Sequence, residues 1–303
     1  MCLIAFALGL RDDCPLLLAS NRDEFWARPT LPLDTWTLPT GEMVASGRDL
    51  RAGGTWLGFT AKGRVAMLTN VRNGEPDVAP RSRGELVTQW LAGSTEAPDW
   101  EAMVARQCPS DYGGFNLVLG DITGGDWVWL SNRAANECAA GTTLPVSGGW
   151  YGLALEPGIY GLSNAGLDTP WPKTRRLKTA TLQALEQWPA GDPAQDGGWR
   201  EPLLAALLDR EPADDQELPS TGIPWERERQ LSSPFVHLTE SGYGTRSSLI
   251  AHWRPSLQGG LLELEEWTHA NDATASGHWS QWPLDRSTYR RISMSTWGMP
   301  TSS

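Results

Sequence analysis

The chain becomes apolar directly after its first residue, and this feature constrains the fold more than any other. The run from Cys2 to Leu10 is almost uninterrupted, and a second run extends from Pro15 to Ser20. The polar segment Arg11-Asp12-Asp13 separates them. Two short apolar runs around a polar turn are typical of a buried β-hairpin. The N-terminus is therefore expected to lie inside a sheet, with residue 2 at the start of the first strand.

Groups of strands and groups of helices follow one another along the rest of the chain, without single strand–helix alternation. The expected helices are Arg83 to Leu91, Trp100 to Gln107 with Asp99 as N-cap, Lys173 to Trp188, and Glu201 to Asp209. The further expected strands are Val44 to Ser46, Thr55 to Thr60, Arg64 to Asn70, Phe115 to Gly120, Asp126 to Ser131, Gly152 to Leu155, Gly158 to Ser163, Gly244 to Trp253 and Leu261 to Thr268. Pro189 to Gly198 is expected to be a loop, and the polar stretch from Arg210 to Ser233 to be only partly ordered. This order predicts an α+β layered fold of one domain, residues 1–303.

The charge balance restricts the classes of partner. The chain has 25 Lys and Arg against 36 Asp and Glu, a formal net charge of −11. This is the wrong sign for attraction to nucleic acid or to anionic lipid. No stretch approaches the roughly twenty apolar residues that span a bilayer. A small molecule is the expected partner, with no nucleic acid and no membrane insertion.

The cysteines indicate the compartment. The four cysteines, Cys2, Cys14, Cys108 and Cys138, have neither CxxC spacing nor the density of a disulfide scaffold. The opening apolar run also lacks the basic segment of a signal peptide. We therefore expect a cytoplasmic protein without a zinc site.

Cys2 is a candidate nucleophile because of its position. Removal of Met1 would expose its α-amine, whose pKa of about 7.7–8 suits it to take the thiol proton near neutral pH. Nucleophile and base would then belong to one residue. The alternative is that Cys2 is a small hydrophobic residue opening a buried strand, since free cysteine is among the most buried residue types.

The string SNRDEFWARP, from Ser20 to Pro29, places charged residues directly after a buried run. Such a break is a suitable place for a site, since the scaffold holds the backbone while polar side chains project. Asp23 would accept from the ammonium of Cys2, and Arg22 would favour its thiolate. The alternative is a surface turn with a local salt bridge.

A second cluster of charge lies at the start of the third expected helix. Lys173, Arg175, Arg176 and Lys178 occur where the helix dipole already favours anions. Lys173, Arg175 and Arg176 are therefore candidates for binding coenzyme A or an acyl phosphate. The alternative is a solvated basic face balanced by acidic neighbours.

Five motifs together resemble one known family. They are Asn21-Arg22-Asp23-Glu24-Phe25, Gly53-Gly54-Thr55-Trp56-Leu57-Gly58, Leu68-Thr69-Asn70-Val71-Arg72, Leu162-Ser163-Asn164-Ala165, and Tyr243-Gly244-Thr245-Arg246-Ser247-Ser248. In this order they resemble the NRDE protein family, also called transport and Golgi organization 2. The resemblance extends from residue 2 to about residue 250.

That family in turn resembles N-terminal-nucleophile (Ntn) hydrolases of the choloylglycine hydrolase and penicillin V acylase type. The resemblance implies an αββα sandwich and a site made of Cys2, Arg22, Asp23, Asn70, Asn164 and Arg246. Cys2 would be the nucleophile, the two asparagines would hold the oxyanion or the amine, and Arg246 would stabilise charge. In the hydrolases, the arginine and aspartate are further apart in sequence than Arg22 and Asp23 are here.

The resemblance leaves two functions open. The first is an N-terminal cysteine amidase or thioesterase, which needs no cofactor. The second is a non-catalytic carrier of haem or acyl-coenzyme A, because eukaryotic members are associated with haem trafficking and lipid metabolism. There is no CxxCH motif, and iron would be ligated by Cys2 or by one of His237, His252, His269 and His278.

Overall fold

A computed structural model describes residues 2–74, 79–93, 99–134, 144–257, 259–269 and 289–296. The strands of these ranges are β1 (Cys2–Leu8), β2 (Leu16–Phe25), β3 (Thr30–Thr37), β4 (Met43–Asp49), β5 (Leu57–Thr60), β6 (Arg64–Asn70), β7 (Phe115–Asp121), β8 (Trp127–Ser131), β9 (Leu144–Val146), β10 (Trp150–Ala154), β11 (Gly158–Leu162), β12 (His237–Leu238), β13 (Tyr243–Ser256), β14 (Gly259–Thr268) and β15 (Tyr289–Thr296). The helices are α1 (Gly84–Ala92), α2 (Trp100–Val104), α3 (Pro172–Glu186), α4 (Arg200–Leu207) and α5 (Trp225–Gln230).

The described strands form two antiparallel sheets. One sheet has the order β11-β1-β2-β13-β14-β15, with β12 added beside β13. The other has the order β3-β4-β5-β6-β7-β8-β10-β9. β1 lies between β11 and β2, so the first strand of the chain is an internal one.

Three apolar cores define the layers. The core between the sheets contains Phe6 from the first sheet and Trp129 from the second. On the outer face of the first sheet, α3 and α4 pack through residues such as Leu177 and Leu203. On the outer face of the second sheet, α1 contributes Trp90. The layer order is helices, sheet, sheet, helices, which confirms the predicted αββα sandwich. That all 303 residues form one domain stays a prediction.

The β1–β2 hairpin shows why its residues form strands. All seven residues of β1 are buried, and they alternate between two cores. Cys2, Ile4, Phe6 and Leu8 belong to the core between the sheets, whereas Leu3, Ala5 and Ala7 belong to the core under α3 and α4. A strand covered on both faces must be apolar throughout. The predicted buried hairpin is confirmed.

The structure corrects one expectation near the site. The apolar run of β2 was predicted to end at Ser20, and the following polar residues to form a break after the strand. Instead β2 continues to Phe25, and Asn21, Arg22 and Asp23 lie inside it as buried residues. The alternative of a surface turn is also wrong.

Other elements were not predicted. These are β3, β9, β12, β15 and α5, of which α5 lies in the stretch from 210 to 233. By contrast, the strand Arg64–Asn70 has the predicted bounds, and Asp99 caps α2 by accepting from the backbone N–H of Ala102 at 2.7 Å. None of the helices within the described ranges is long and apolar enough to cross a membrane.

Tryptophan rings cover glycines of neighbouring strands at three places. A Cβ at Gly47, Gly120 or Gly260 would lie within 3.0 Å of the ring of Trp56, Trp127 or Trp253, respectively. Each ring therefore occupies the space in which a side chain would stand. This packing fills the sheet surface without leaving a groove at the glycine.

We expect Gly120→Ala to lower the free energy of unfolding by about 1–3 kcal/mol, because the added methyl must displace the Trp127 ring. The matched control is Gly191→Ala, since a Cβ at Gly191 would meet nothing within 4 Å. That variant should stay within about 0.5 kcal/mol of the original protein. Urea denaturation of both variants checks the prediction, and equal stabilities would contradict it.

Candidate active site

A cleft of about 720 Å³ opens where β1 begins and β2 ends. Its described lining residues are Cys2, Arg22, Asp23, Glu24, Phe25, Arg28, Asp49, Arg51, Ala52, Gly54, Thr55, Trp56, Leu68, Asn70, Ala79, Pro80, Arg81, Ser82, Arg83, Gly84, Gly113, Arg227 and Tyr243. The lining comes from both sheets and from the segment that precedes α1. A ligand in this cleft would therefore touch several separate parts of the chain.

Cys2 lines the cleft and is 7% exposed. Its Cα partner in β2 is Arg22. Burial raises the pKa of the Cys2 thiol, the charge of Asp23 raises it further, and Arg22 opposes the shift. The resting group is therefore a thiol, which needs a base before it can act as a nucleophile.

Arg22 is held beside Cys2 by an aromatic ring. Its side chain is 5% exposed, and its guanidinium carbon lies 3.9 Å from the ring centroid of Trp56. Its Nη2 is 3.8 Å from Glu24 Oε2. Burial lowers the pKa of Arg22, but an arginine remains protonated in proteins. A fixed positive charge therefore stands next to the thiol.

Asp23 is 2% exposed and accepts a hydrogen bond from Thr245 Oγ1 at 2.7 Å. Burial raises the pKa of its carboxyl group, whereas the positive charge of Lys173 lowers it. Lys173 is also buried, and its Nζ donates to the carbonyl oxygen of Leu231 at 3.1 Å. Burial lowers the pKa of Lys173 to about 8. The aspartate therefore has a buried cation as its neighbour.

The other cations at the start of α3 do not join Lys173. Arg175 forms an ion pair with Glu217, and Arg176 Nη1 lies 3.0 Å from Asp209 Oδ2. Lys173, Arg175 and Arg176 thus have separate surroundings, and the described structure does not gather them around one anion. For the two arginines, the geometry agrees with the alternative of a basic face balanced by acidic residues.

Arg72 and Glu228 form a further buried ion pair. Arg72 Nη2 is 3.3 Å from Glu228 Oε2, and both side chains are buried. Glu228 also accepts from the backbone N–H of Thr221 at 2.8 Å. Through these contacts, the segment around α5 is fixed against the end of β6.

The two predicted asparagines are neighbours. Asn164 Nδ2 donates to the backbone oxygen of Asn70 at 2.9 Å. Asn70 lines the cleft, whereas Asn164 is fully buried and does not belong to the described lining. The structure thus brings both residues near the cleft. Their roles as holders of an oxyanion or amine stay predictions.

Arg246 has a different setting from the one expected. It is the extra residue of a β-bulge between Thr245 and Ser247 in β13. Its Nη1 donates to the carbonyl oxygens of Phe25, Trp26 and Arg28 at 3.0, 3.2 and 3.1 Å. Arg246 is not among the described lining residues of the cleft. Its observed contacts fix the end of β2, and a role in stabilising charge stays a prediction.

Asn21 is a structural residue that sequence reasoning did not separate from its neighbours. Its Nδ2 donates to the carbonyl oxygens of Leu207 and Pro234 at 2.7 and 3.0 Å, and its Oδ1 accepts from Ser248 Oγ at 2.6 Å. Successive side chains of a strand face opposite sides. Asn21 therefore faces the helical layer, while Arg22 faces the cleft.

The cationic character of the cleft was also not predicted. Six arginines line its described part, namely Arg22, Arg28, Arg51, Arg81, Arg83 and Arg227, against the three acidic residues Asp23, Glu24 and Asp49. This excess of positive charge occurs in a chain with a formal charge of −11. Arg81 and Arg83, directly before α1, are the only local sign of this positive charge in the sequence of the described lining. The other four arginines are dispersed in the sequence and do not form a recognisable cluster.

The histidines are separate from the cleft. His237, His252 and His269 are described, and none of the three belongs to the cleft lining. His252 packs against Trp188 and Trp199, and His269 Nε2 lies 2.9 Å from Ser248 Oγ. His278 lies outside the described residues. Among the residues that are described, no three His, Cys, Asp or Glu side chains are grouped to hold a metal ion.

Comparison with known proteins gives a family match over most of the chain. The sequence profile described as Transport and Golgi organisation 2 matches residues 1–264. The Homo sapiens Transport and Golgi organization protein 2 homolog is 34% identical over 265 residues, covering 82% of this chain and 87% of the human protein. The Drosophila melanogaster Transport and Golgi organization protein 2 is 28% identical over 300 residues, with 91% and 93% coverage. The profile match includes every cleft residue named above.

Two solved structures are similar at low identity. A Caenorhabditis elegans N-acylethanolamine-hydrolyzing acid amidase ortholog is 10% identical, covers 82% of this chain and 92% of its own, and has a TM-score of 0.42. A mutant of the conjugated bile acid hydrolase of Clostridium perfringens is 8% identical, with 99% and 100% coverage and a TM-score of 0.38.

Removal of the Asn21 side chain is expected to destabilise the fold without changing the cleft. Asn21→Ala removes the donor to two buried carbonyl oxygens and leaves the Ser248 hydroxyl with His269 Nε2 as its remaining partner, at a cost of about 2–4 kcal/mol. Urea denaturation measures this loss. The rate at which iodoacetamide alkylates Cys2, measured without urea, should be unchanged. A stable variant with slowed alkylation would contradict the assignment of Asn21 as structural.

Gly47→Ala is expected to change the reactivity of Cys2 from a distance. The added methyl displaces the Trp56 ring and with it Arg22, so the pKa of the thiol rises further and alkylation at neutral pH slows by about threefold to tenfold. The matched control is Gly120→Ala, which displaces Trp127 with a similar loss of stability. If both variants alkylate at the same rate, Trp56 does not transmit the effect to Arg22.

Proposed function

The chain belongs to the Transport and Golgi organisation 2 family, and we propose that it is an N-terminal cysteine hydrolase that cleaves an amide or thioester bond. One observation carries the proposal. Cys2 opens an internal strand and lines a large cleft, with Arg22 opposite it in β2 and the next residue, Asp23, also lining the cleft. A buried thiol flanked by a fixed cation and a carboxylate is an arrangement suited to covalent acyl transfer.

The reaction would begin after removal of Met1, when the α-amine belongs to Cys2. Sγ attacks the carbonyl carbon, the thiol proton passes to the amine, and the carbonyl π electrons move to the oxygen. Collapse of this intermediate expels the amine or thiol leaving group, which takes the proton from the ammonium. Water then attacks the acyl-thioester, releases a carboxylic acid and restores the thiol.

The raised pKa of Cys2 agrees with this order of events. Because burial keeps the resting group protonated, the proton must leave as the substrate is attacked. Asp23 would favour the ammonium that forms, and Arg22 would favour the transient thiolate. Asn70, which lines the cleft, would donate to the developing oxyanion, with Asn164 fixing the backbone beside it.

The charge of the cleft supports an anionic substrate. Arginine guanidinium groups bind carboxylate and phosphate in a bidentate manner. Arg51 and Arg227 lie at the cleft together with Arg83. We infer that the substrate carries a carboxylate or phosphate at some distance from the bond that is cleaved.

We also propose that the protein acts in the cytoplasm, as the spacing of its cysteines predicts.

A second candidate is a carrier of haem or acyl-coenzyme A, which the same cationic cleft favours because both ligands are anionic. A carrier does not need a nucleophile. It should therefore bind haemin or an acyl-coenzyme A with nearly unchanged affinity after Cys2→Ser, whereas hydrolysis would be lost.

We expect the purified protein to lack Met1 and to acquire one Cys2-dependent acyl adduct. The measurement is intact mass before and after treatment with p-nitrophenyl acetate, in a Cys108→Ala background because Cys108 is exposed. Cys2→Ala in the same background is the matched control and should acquire no adduct. Retention of Met1, or an adduct that persists in Cys2→Ala, would contradict the hydrolase and favour the carrier.

A further inference from the structure

Tyr243 lines the same cleft as Cys2, although its residue type suggests a core position. It begins β13, and its Cα partner is Phe25 in β2. Its ring packs edge-on against Phe25 with centroids 5.1 Å apart, and the Arg227 guanidinium carbon is 5.8 Å from its centroid. Tyr243 is 3% exposed and lines the cleft that holds Cys2.

The hydroxyl of Tyr243 is buried and finds no hydrogen-bond partner in the described part of the chain. A buried hydroxyl without a partner loses its hydration without compensation, a cost that phenylalanine would avoid. The apolar contacts of the ring would be the same for both residues. We therefore expect the hydroxyl to gain a hydrogen-bond partner that is not present before the chain is processed.

Tyr243 shares the cleft with Cys2, Asp23 and Glu24. Burial raises the pKa of Tyr243 well above its ordinary value, and the charges of Asp23, Glu24 and Cys2 act in the same direction. Thr245, two positions further along β13, donates to Asp23. Because side chains two positions apart share a face of a strand, Tyr243 projects on the same side as Asp23 does.

We propose that the Tyr243 hydroxyl is a positioning residue that binds the α-amine of Cys2 after Met1 is removed, an inference that rests on the proposed function. A neutral amine has two N–H groups and one lone pair. Acceptors for both N–H groups hold the lone pair towards the thiol. Asp23 accepts one of them, and the phenol oxygen of Tyr243 accepts the other.

This contact has a consequence for the thiol. When the amine takes the thiol proton, the phenol oxygen still accepts from the ammonium and so favours the charged form. The ammonium in turn favours the thiolate. Loss of the hydroxyl therefore moves the ionisation of the thiol–amine pair to higher pH.

Several charged groups face this pair, and all remain in a variant of Tyr243 alone. They are Arg22, Asp23 and Glu24 on β2, Lys173 on α3, Arg227 and Glu228 on α5, and Arg72 after β6. Lys173, with its pKa of about 8, titrates in the same range. Because Lys173 is present in both proteins, a comparison of the original protein with the variant cancels its contribution.

The test is the rate of Cys2 alkylation by iodoacetamide between about pH 6 and pH 10, followed by mass spectrometry of the N-terminal peptide. The matched control is Tyr112→Phe, because the Tyr112 hydroxyl donates to Gln107 at 2.9 Å and does not line the described cleft. We expect Tyr243→Phe to shift the profile to higher pH, to react about threefold to tenfold more slowly below its midpoint, and to reach the same alkaline limit. Tyr112→Phe should follow the original profile.

Three results would overturn the proposal in distinguishable ways. An unchanged profile together with a raised melting temperature would mean that the hydroxyl of Tyr243 is only an unsatisfied core group. A rate lowered equally at every pH would mean that the substitution alters access to Cys2. If the original protein retains Met1 or its Cys2 does not react, the proposed function itself fails, and this inference fails with it.

Discussion

The backbone pairing of β1 with β2 fixes where the charged residues at the end of β2 stand relative to Cys2. It places Cys2 opposite Arg22, and the alternation of a strand then determines which neighbours face the cleft and which face the helices. A shift by one residue would bring Asn21 or Asp23 opposite Cys2 and would exchange the two sets of β1 side chains between the cores. One core holds the large side chains of Ile4, Phe6 and Leu8, and the other holds Leu3 and two alanines, so the difference in size opposes such a shift. The geometry of the site is thus held by hydrophobic packing that lies almost entirely outside it.

The cost of this arrangement is a set of charges removed from water. Burial of an ion costs several kcal/mol unless partners compensate for the lost hydration. Asp23 accepts a hydrogen bond from Thr245 and lies near the charge of Lys173. The Arg22 guanidinium stacks on the face of the Trp56 ring. Arg72 forms an ion pair with Glu228. Each partner comes from a different element, so the full set exists only in the folded chain. The ends of the two sheets, α3 and the segment around α5 are therefore bound together by charge as well as by apolar contact.

Apolar runs and hydrophobic periodicity in the sequence predicted the elements that are formed by local patterns of apolar residues. The buried hairpin, the order of strands and helices, and the adjacency of Cys2, Arg22 and Asp23 follow from apolar runs and from the resemblance. The extension of β2 to Phe25 was missed because polar residues in a strand are an unlikely pattern unless buried partners exist, and those partners are remote in sequence. Asn21 is an example, since it binds Leu207 and Pro234. The same distance in sequence concealed the six arginines of the cleft and the contacts of Arg246 with the end of β2.

The tryptophan that covers Gly47 has a consequence for comparing relatives of this protein. Gly47 has no side chain and does not line the described cleft. The Trp56 ring nevertheless fills the space where a side chain at position 47 would stand, and the same ring holds Arg22 in place. Glycine at 47 and tryptophan at 56 therefore form one packing unit. A relative could keep Cys2, Arg22 and Asp23 unchanged and still have a displaced Arg22 if a methyl group stands at position 47. A comparison of the polar motif alone would not detect this change.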